Sequence, residues 1–293
     1  MHRKAGLFIL SGMSAAGIAA QSLGQGVDPS QPGFAQFRPS PAPSSAIAVS
    51  IDQWSRLRQS DSLPFSSYAS FLTRHRGWPG EAAMRRSAER RLSMEANSPG
   101  DVVRFFSLLP PLTPGGHAQH AFALQASGRS DEARAAARRA WTSGVLPQGD
   151  EQRVIAAFGS GFGSQDHELR MEVLLGNGDA QSAARTLNWA PPAKRVLYEA
   201  RIALQTRAPD AAGRLAALDT QARRDPGLIT DQAVWLRNSG QGAAARQMLA
   251  GSAFDRPPVG AARWLDTALT LARAAANDSQ WSTVYAIASK LGG

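Results

Sequence analysis

Cysteine is absent from the 293 residues. That excludes a disulfide framework, a thiolate zinc site, a thiol nucleophile and an iron–sulfur cluster. Lysine is scarce: Lys4, Lys194 and Lys290 stand alone, and every other basic side chain among the 32 is arginine. Alternating Val/Ile/Thr runs that mark β-strands are missing. Beyond the N-terminus no apolar run approaches the roughly 20 residues that cross a bilayer. Neither a Gly-x-Ser-x-Gly elbow nor a phosphate-binding glycine loop ending in Lys occurs. The common nucleophile, nucleotide and thiolate-metal chemistries therefore have no foothold.

What is present is basic and apolar enough to fold. The formal net charge is +9, hydrophobic residues make up 43% and charged residues 19%, which excludes a disordered polyelectrolyte. The length allows one large domain or two. Arginine pairs such as Arg85-Arg86, Arg90-Arg91, Arg138-Arg139 and Arg223-Arg224 sit among alanines at helical spacing. They read as solvated helix faces, with no nucleic-acid-binding motif beside them. An acidic partner fits this balance; a nucleic acid does not.

Residues 1–26 read as a secretory signal peptide. His2, Arg3 and Lys4 form the positive start, an apolar stretch runs from Ala5 to Ala20, and Gly17, Ala19 and Ala20 supply small residues for cleavage. Ser11, Gly12, Ser14 and Gly17 interrupt the stretch, which favours export over anchoring. The expected location is the periplasm, with no stable membrane span after cleavage. Residues 27–50 hold Pro29, Pro32, Pro39, Pro41 and Pro43 among small and polar residues and read as a linker.

From Ile51 to Gly293 the texture is helical. Apolar residues recur at i, i+3 and i+4, and Pro or Gly interrupts every 10–17 residues or so. The expected class is all-α. A weak repeat is visible where Ser127-Gly128-Arg129, Asn177-Gly178-Asp179 and Ser239-Gly240-Gln241 each lead into a helix rich in small residues. That is the helix–turn–helix unit of tetratricopeptide-like arrays. The glycines are irregularly spaced, so divergent antiparallel helix pairs in a superhelix fit better than a regular array.

Candidate chemistry is thin. His117 and His120, three residues apart, could face one metal ion, yet no third ligand lies nearby and a polar helix start explains them. Asp166, His167 and Glu168 are adjacent and so fan around a helix rather than converge; Asp166 suits a helix N-terminus. Gly159 to Gly163 is a glycine-rich turn between helices, unsuited to a nucleotide. The seven tryptophans, Trp54, Trp78, Trp141, Trp189, Trp235, Trp264 and Trp281, are spread about one per helical unit, as anchors between stacked helices would be. No catalytic residue, metal ligand or cofactor site is expected.

Several segments in order carry a resemblance: Phe71-Leu72 through Trp78-Pro79, Met84 to Glu89, Pro110-Pro111-Leu112-Thr113 and Asp166 to Arg170. Leu174 to Gly178, Arg195 to Arg201, Asp225 to Leu228, Ala233 to Arg237 and Trp281 to Leu291 follow. Through these the region 51–293 resembles the N-terminal superhelical domain of soluble lytic murein transglycosylases. The resemblance implies a ring or horseshoe of helices around peptidoglycan, with other cell-wall proteins as further partners. In that family a separate C-terminal domain cleaves the glycan strand, using a Glu in a Glu-Ser pair with Gly-Leu-Met-Gln downstream. Here none of the eight glutamates precedes Ser, and neither Gly6-Leu7 nor Gly227-Leu228 continues as Met-Gln. What is expected is the non-catalytic arm; the alternative is an exported tetratricopeptide-like scaffold that binds a protein.

Overall fold

Helix begins where the N-terminal prolines stop. In the computed structural model, which describes residues 45–253 and 258–291, α1 (Ser45–Gln59) starts two residues after Pro43. Residues 45–50, expected to belong to the linker, are thus helical. They contain neither Pro nor Gly, and Ser50 Oγ donates back to the Ala46 carbonyl at 3.0 Å. The signal-peptide reading of residues 1–26 and the linker reading up to residue 44 lie outside the described residues.

The chain continues through α2 (Phe65–Arg74), α3 (Glu81–Leu92), α4 (Pro99–Leu108), α5 (Pro114–Ala126), α6 (Ser130–Thr142), α7 (Gln148–Phe158) and α8 (Ser164–Gly176). Then come α9 (Ala180–Thr186), α10 (Arg195–Thr206), α11 (Ala211–Ala216), α12 (Pro226–Asn238), α13 (Gly242–Gly251), α14 (Ala261–Asn277) and α15 (Trp281–Ala288). No strand occurs among the described residues. The all-α expectation is met.

Local sequence sets the starts. Three helices open on a polar residue followed by proline: Ser98-Pro99, Thr113-Pro114 and Asp225-Pro226. Proline at the first helical position lacks only an N–H that has no partner there anyway. The Thr113 hydroxyl accepts the Gly116 N–H and Asp225 accepts that of Leu228, which caps two of these helices.

The stops reveal more than the starts. At the end of α5, Gly128 adopts φ 75° while the Arg129 N–H reaches the Leu124 carbonyl at 2.9 Å. At the end of α8, Gly178 (φ 82°) and the bond from Asp179 N–H to the Leu174 carbonyl repeat this, as do Gly240 and the Gln241-to-Leu236 bond after α12. Each is a left-handed C-terminal turn of Schellman type. Two further copies carry no glycine. Arg207 (φ 56°) ends α10 with Ala208 bonded to Ala203, and Ser279 (φ 57°) ends α14 with Gln280 bonded to Ala275. Five hairpins therefore share one turn: α5/α6, α8/α9, α10/α11, α12/α13 and α14/α15. The wide gap between Gly178 and Gly240 contains a hidden repeat at Arg207, which is why the glycines alone looked irregular.

A non-glycine residue in this conformation costs about 1 kcal/mol. Arg207 is exposed and its side chain has no partner. Arg207→Gly is thus expected to stabilise the chain by about 0.5 kcal/mol after allowing for the freer unfolded chain. A urea midpoint that rises at unchanged slope checks this; a fall means the Arg207 side chain is held by contacts that matter more than its backbone.

The apolar interior is a row of clusters. Tyr68, Phe71, Leu72, Phe105 and Phe106 fill the space among α2–α4. Ala121, Ala133, Ala136 and Ala137 let α5 and α6 approach closely. Leu174, Tyr198, Leu204 and Leu228 join α8, α10 and α12, and Leu249, Trp264, Leu271 and Ile287 join α13, α14 and α15. One contact reaches further along the chain. The backbone at Gly260, just before α14, lies against Gly176 at the end of α8, and a Cβ on either glycine would overlap main-chain atoms of the other segment.

Candidate functional site

Arginine on the core stripe of a helix must find acceptors, and two arginines here do. Arg201 falls in register with Leu197, Tyr198 and Leu204 on α10 and is 1% exposed. Its Nε donates to Asp231 at 2.8 Å and its Nη1 to Glu172 at 3.1 Å, with Asp225 at 3.8 Å. Arg263 from α14 adds a second cation on Asp231 at 2.6 Å, and Gln205 donates to the same carboxylate at 2.8 Å. Burial works to lower the Arg201 pKa, but Asp231, Glu172 and Asp225 outweigh it and hold the group above its ordinary value. Gly227 lies directly on the guanidinium, where any Cβ would collide with it. One cluster thus binds α8, α10, α12 and α14 together.

Arg170 on α8 repeats the device. It donates to the carbonyls of Trp141 at 3.0 Å and Gly144 at 2.8 Å, and to Glu151 at 2.5 Å. Its guanidinium also lies over the Trp141 ring, 4.2 Å from the centroid. Glu151 in turn accepts from Arg185 of α9 at 3.1 Å. Further up the chain, the buried Glu89 carboxylate accepts the N–H groups of Leu112 and Thr113, both at 2.8 Å, so α3 clamps the start of α5. Asp150 accepts from Ser93 and Gln119, linking α3, α5 and α7. Most of their polar atoms pair with one another, Arg170 Nε and Gln205 Oε1 being the exceptions, and the groups act as fasteners.

The residues singled out by sequence do not converge. His117 and His120 sit half-buried on α5, and His120 packs on Phe106 with centroids 5.1 Å apart. Among the described residues no three His, Asp or Glu side chains group as metal ligands. Asp166 accepts the Gly163 N–H at 2.9 Å and Arg138 Nε at 3.0 Å, a helix cap. Glu168 instead pairs with Lys194. His167 joins an aromatic group with Trp141, Phe162 and Trp189. Gly159–Gly161 forms a short 3-10 turn between α7 and α8. The anchoring role expected for tryptophan holds for Trp141 and Trp264, which are buried. It fails for Trp189, 42% exposed at the end of a three-residue 3-10 turn, and for Trp281, 66% exposed at the start of the eight-residue α15.

Burial, then the charge of Arg139, then His120 push the His117 pKa down to about 4. The unfolded chain takes up this proton near pH 6.5 while the folded chain stays neutral, so stability falls as pH drops from about 6.5 to about 4. The full shift is worth about 3 kcal/mol, and solvent at the partly exposed ring reduces this to about 1–2 kcal/mol. His120 and His167, lowered chiefly by burial, act in the same direction. His117→Gln is expected to flatten the pH dependence of the urea midpoint across that window; an unchanged slope contradicts the assignment.

The described surface offers open clefts. One, of about 450 Å³, lies between the start of α10 and the segment leading into α12, with Lys194, Leu197, Asp219, Ala222, Arg224 and Pro226 on its walls. A second of about 450 Å³ runs between α2 and α4, floored by Phe65, Ala69 and Phe105. No helix among the described residues is long and apolar enough to cross a membrane. Comparison with family models, with curated proteins and with solved structures finds no match to this chain.

Proposed function

We propose that this chain is a non-catalytic helical scaffold, a superhelix of antiparallel pairs that holds peptidoglycan for cleavage by a lytic transglycosylase-type domain outside these residues. The observation that carries the scaffold reading is the succession of five hairpins with one shared turn, each packed on the next. The peptidoglycan assignment rests on the sequence resemblance and on the arginine excess, which suits the carboxylates of peptide stems. The buried ion clusters join helices to one another, which supports a structural role for these charges. Export to the periplasm belongs to the same reading.

A protein-binding scaffold is the second reading. It draws on Trp281 and Tyr285, one helical turn apart on α15 and 66% and 76% exposed. Sedimentation of purified Val27–Gly293 with peptidoglycan sacculi separates the two. Pelleting that weakens at high salt, with no anhydro-muropeptide released, is the expected result. Absence of pelleting favours the protein-binding reading, and release of product overturns the non-catalytic one.

A further inference from the structure

The cleft between α10 and α12 has an electrostatic property that its composition conceals. Four charged residues line it: Lys194, Arg224, Asp219 and Asp225. Two of these are already committed. Lys194 pairs with Glu168. Asp225 caps α12 through the Leu228 N–H at 2.8 Å and faces the buried Arg201. Asp219 uses one oxygen to accept the Ala222 N–H at 2.7 Å, which leaves the other available. The Arg224 side chain has no hydrogen-bond or ion-pair partner, and it does not pair with Asp219 although both line the same cleft. One cation and one carboxylate oxygen are therefore presented to the same space without neutralising each other. Leu197, Ala222 and Pro226 give that space an apolar floor.

We infer that this cleft binds a small zwitterion of amino-acid or short-peptide type, its carboxylate on Arg224 and its ammonium on Asp219. The planar guanidinium matches a carboxylate with two parallel hydrogen bonds. An ammonium finds a carboxylate acceptor whose geometry is already fixed by its backbone cap. A ligand of one sign would satisfy one of these groups and crowd the other with like charge, so the pair selects for both charges together. At about 450 Å³ the cleft has room for a dipeptide and its side chains. This inference is independent of the cell-wall reading.

The test is calorimetric or NMR titration of the full chain with alanylalanine, its N-acetyl form and its C-terminal amide. The free dipeptide is expected to bind at least about tenfold more tightly than either blocked form. Arg224→Gln should abolish the penalty for amidation and leave that for acetylation. Asp219→Asn retains the cap acceptor, and should abolish the penalty for acetylation and leave that for amidation. Both side chains are exposed, and unchanged thermal melts would show that the variants fold. No binding at about 10 mM, or blocked forms that bind as well as the free dipeptide, overturns the inference. So do variants that weaken all three ligands alike.

Discussion

Arg201→Ala is expected to destabilise the protein by about 3–5 kcal/mol, because it removes the cation that three carboxylates share in a largely buried cluster. Asp231 would keep Arg263 and Gln205, but Glu172, which is buried, and Asp225, at the wall of the α10/α12 cleft, would lose the cation they share. Tyr198, whose hydroxyl lies 3.4 Å from Glu172 and whose ionisation burial already suppresses, offers a neutral donor and no compensating charge. The loss should appear as a lower urea midpoint. Arg201→Lys restores a charge without the fork that spans α8 and α12, and should recover less than half of the loss. A loss below about 1 kcal/mol for the alanine variant would mean that the cluster holds little of the fold together.

The second large effect is expected at Arg170. Its replacement by methionine keeps an apolar and sulfur contact over Trp141 but leaves the Trp141 and Gly144 carbonyls without their donor, and Glu151 with Arg185 alone. About 3 kcal/mol or more of stability should be lost. Adding Glu151→Leu removes the stranded carboxylate, so the double variant should be less damaged than the sum of the singles by about 1–3 kcal/mol. Strict additivity would contradict a coupled pair.

These fasteners were the part of the fold least legible in sequence. The reading of arginine as a solvated face suits Arg86, Arg138 and Arg139, which are exposed. It misses Arg170 and Arg201, whose signal was their register: each occupies a position that the helical period assigns to the core, near Leu174 on α8 and between Leu197 and Leu204 on α10. Their partners are contributed by helices up to about 30 residues away, as Asp231 is to Arg201, and no local pattern shows that pairing.

The hairpins were legible wherever the turn used glycine. Gly128, Gly178 and Gly240 mark their turns because only glycine adopts that backbone without cost. Arg207 and Ser279 adopt the same conformation with no glycine to mark it, so the sequence alone does not show the units that end there. The α1 boundary moved for a simpler reason. The composition of residues 45–50 resembles the small-residue linker before them, while the absence of proline after Pro43 decides for helix. The cleft beside Arg224 could not be read at all, since Lys194 and Arg224 are 30 positions apart and only the packing of α10 on α12 brings them together.

From α5 to α15 hairpins follow one another along the chain, and buried charge fastens them to their neighbours. Hydrogen exchange, read segment by segment on the wild type and on Arg201→Ala, tests it most directly. The expected result is lost protection in α8, α10, α12 and α14, the helices that the Arg201 cluster joins, with α2–α5 protected as before. Uniform loss across α2–α15 would show a single cooperative core, and loss confined to α10 would show a cluster that fastens nothing; either contradicts the account.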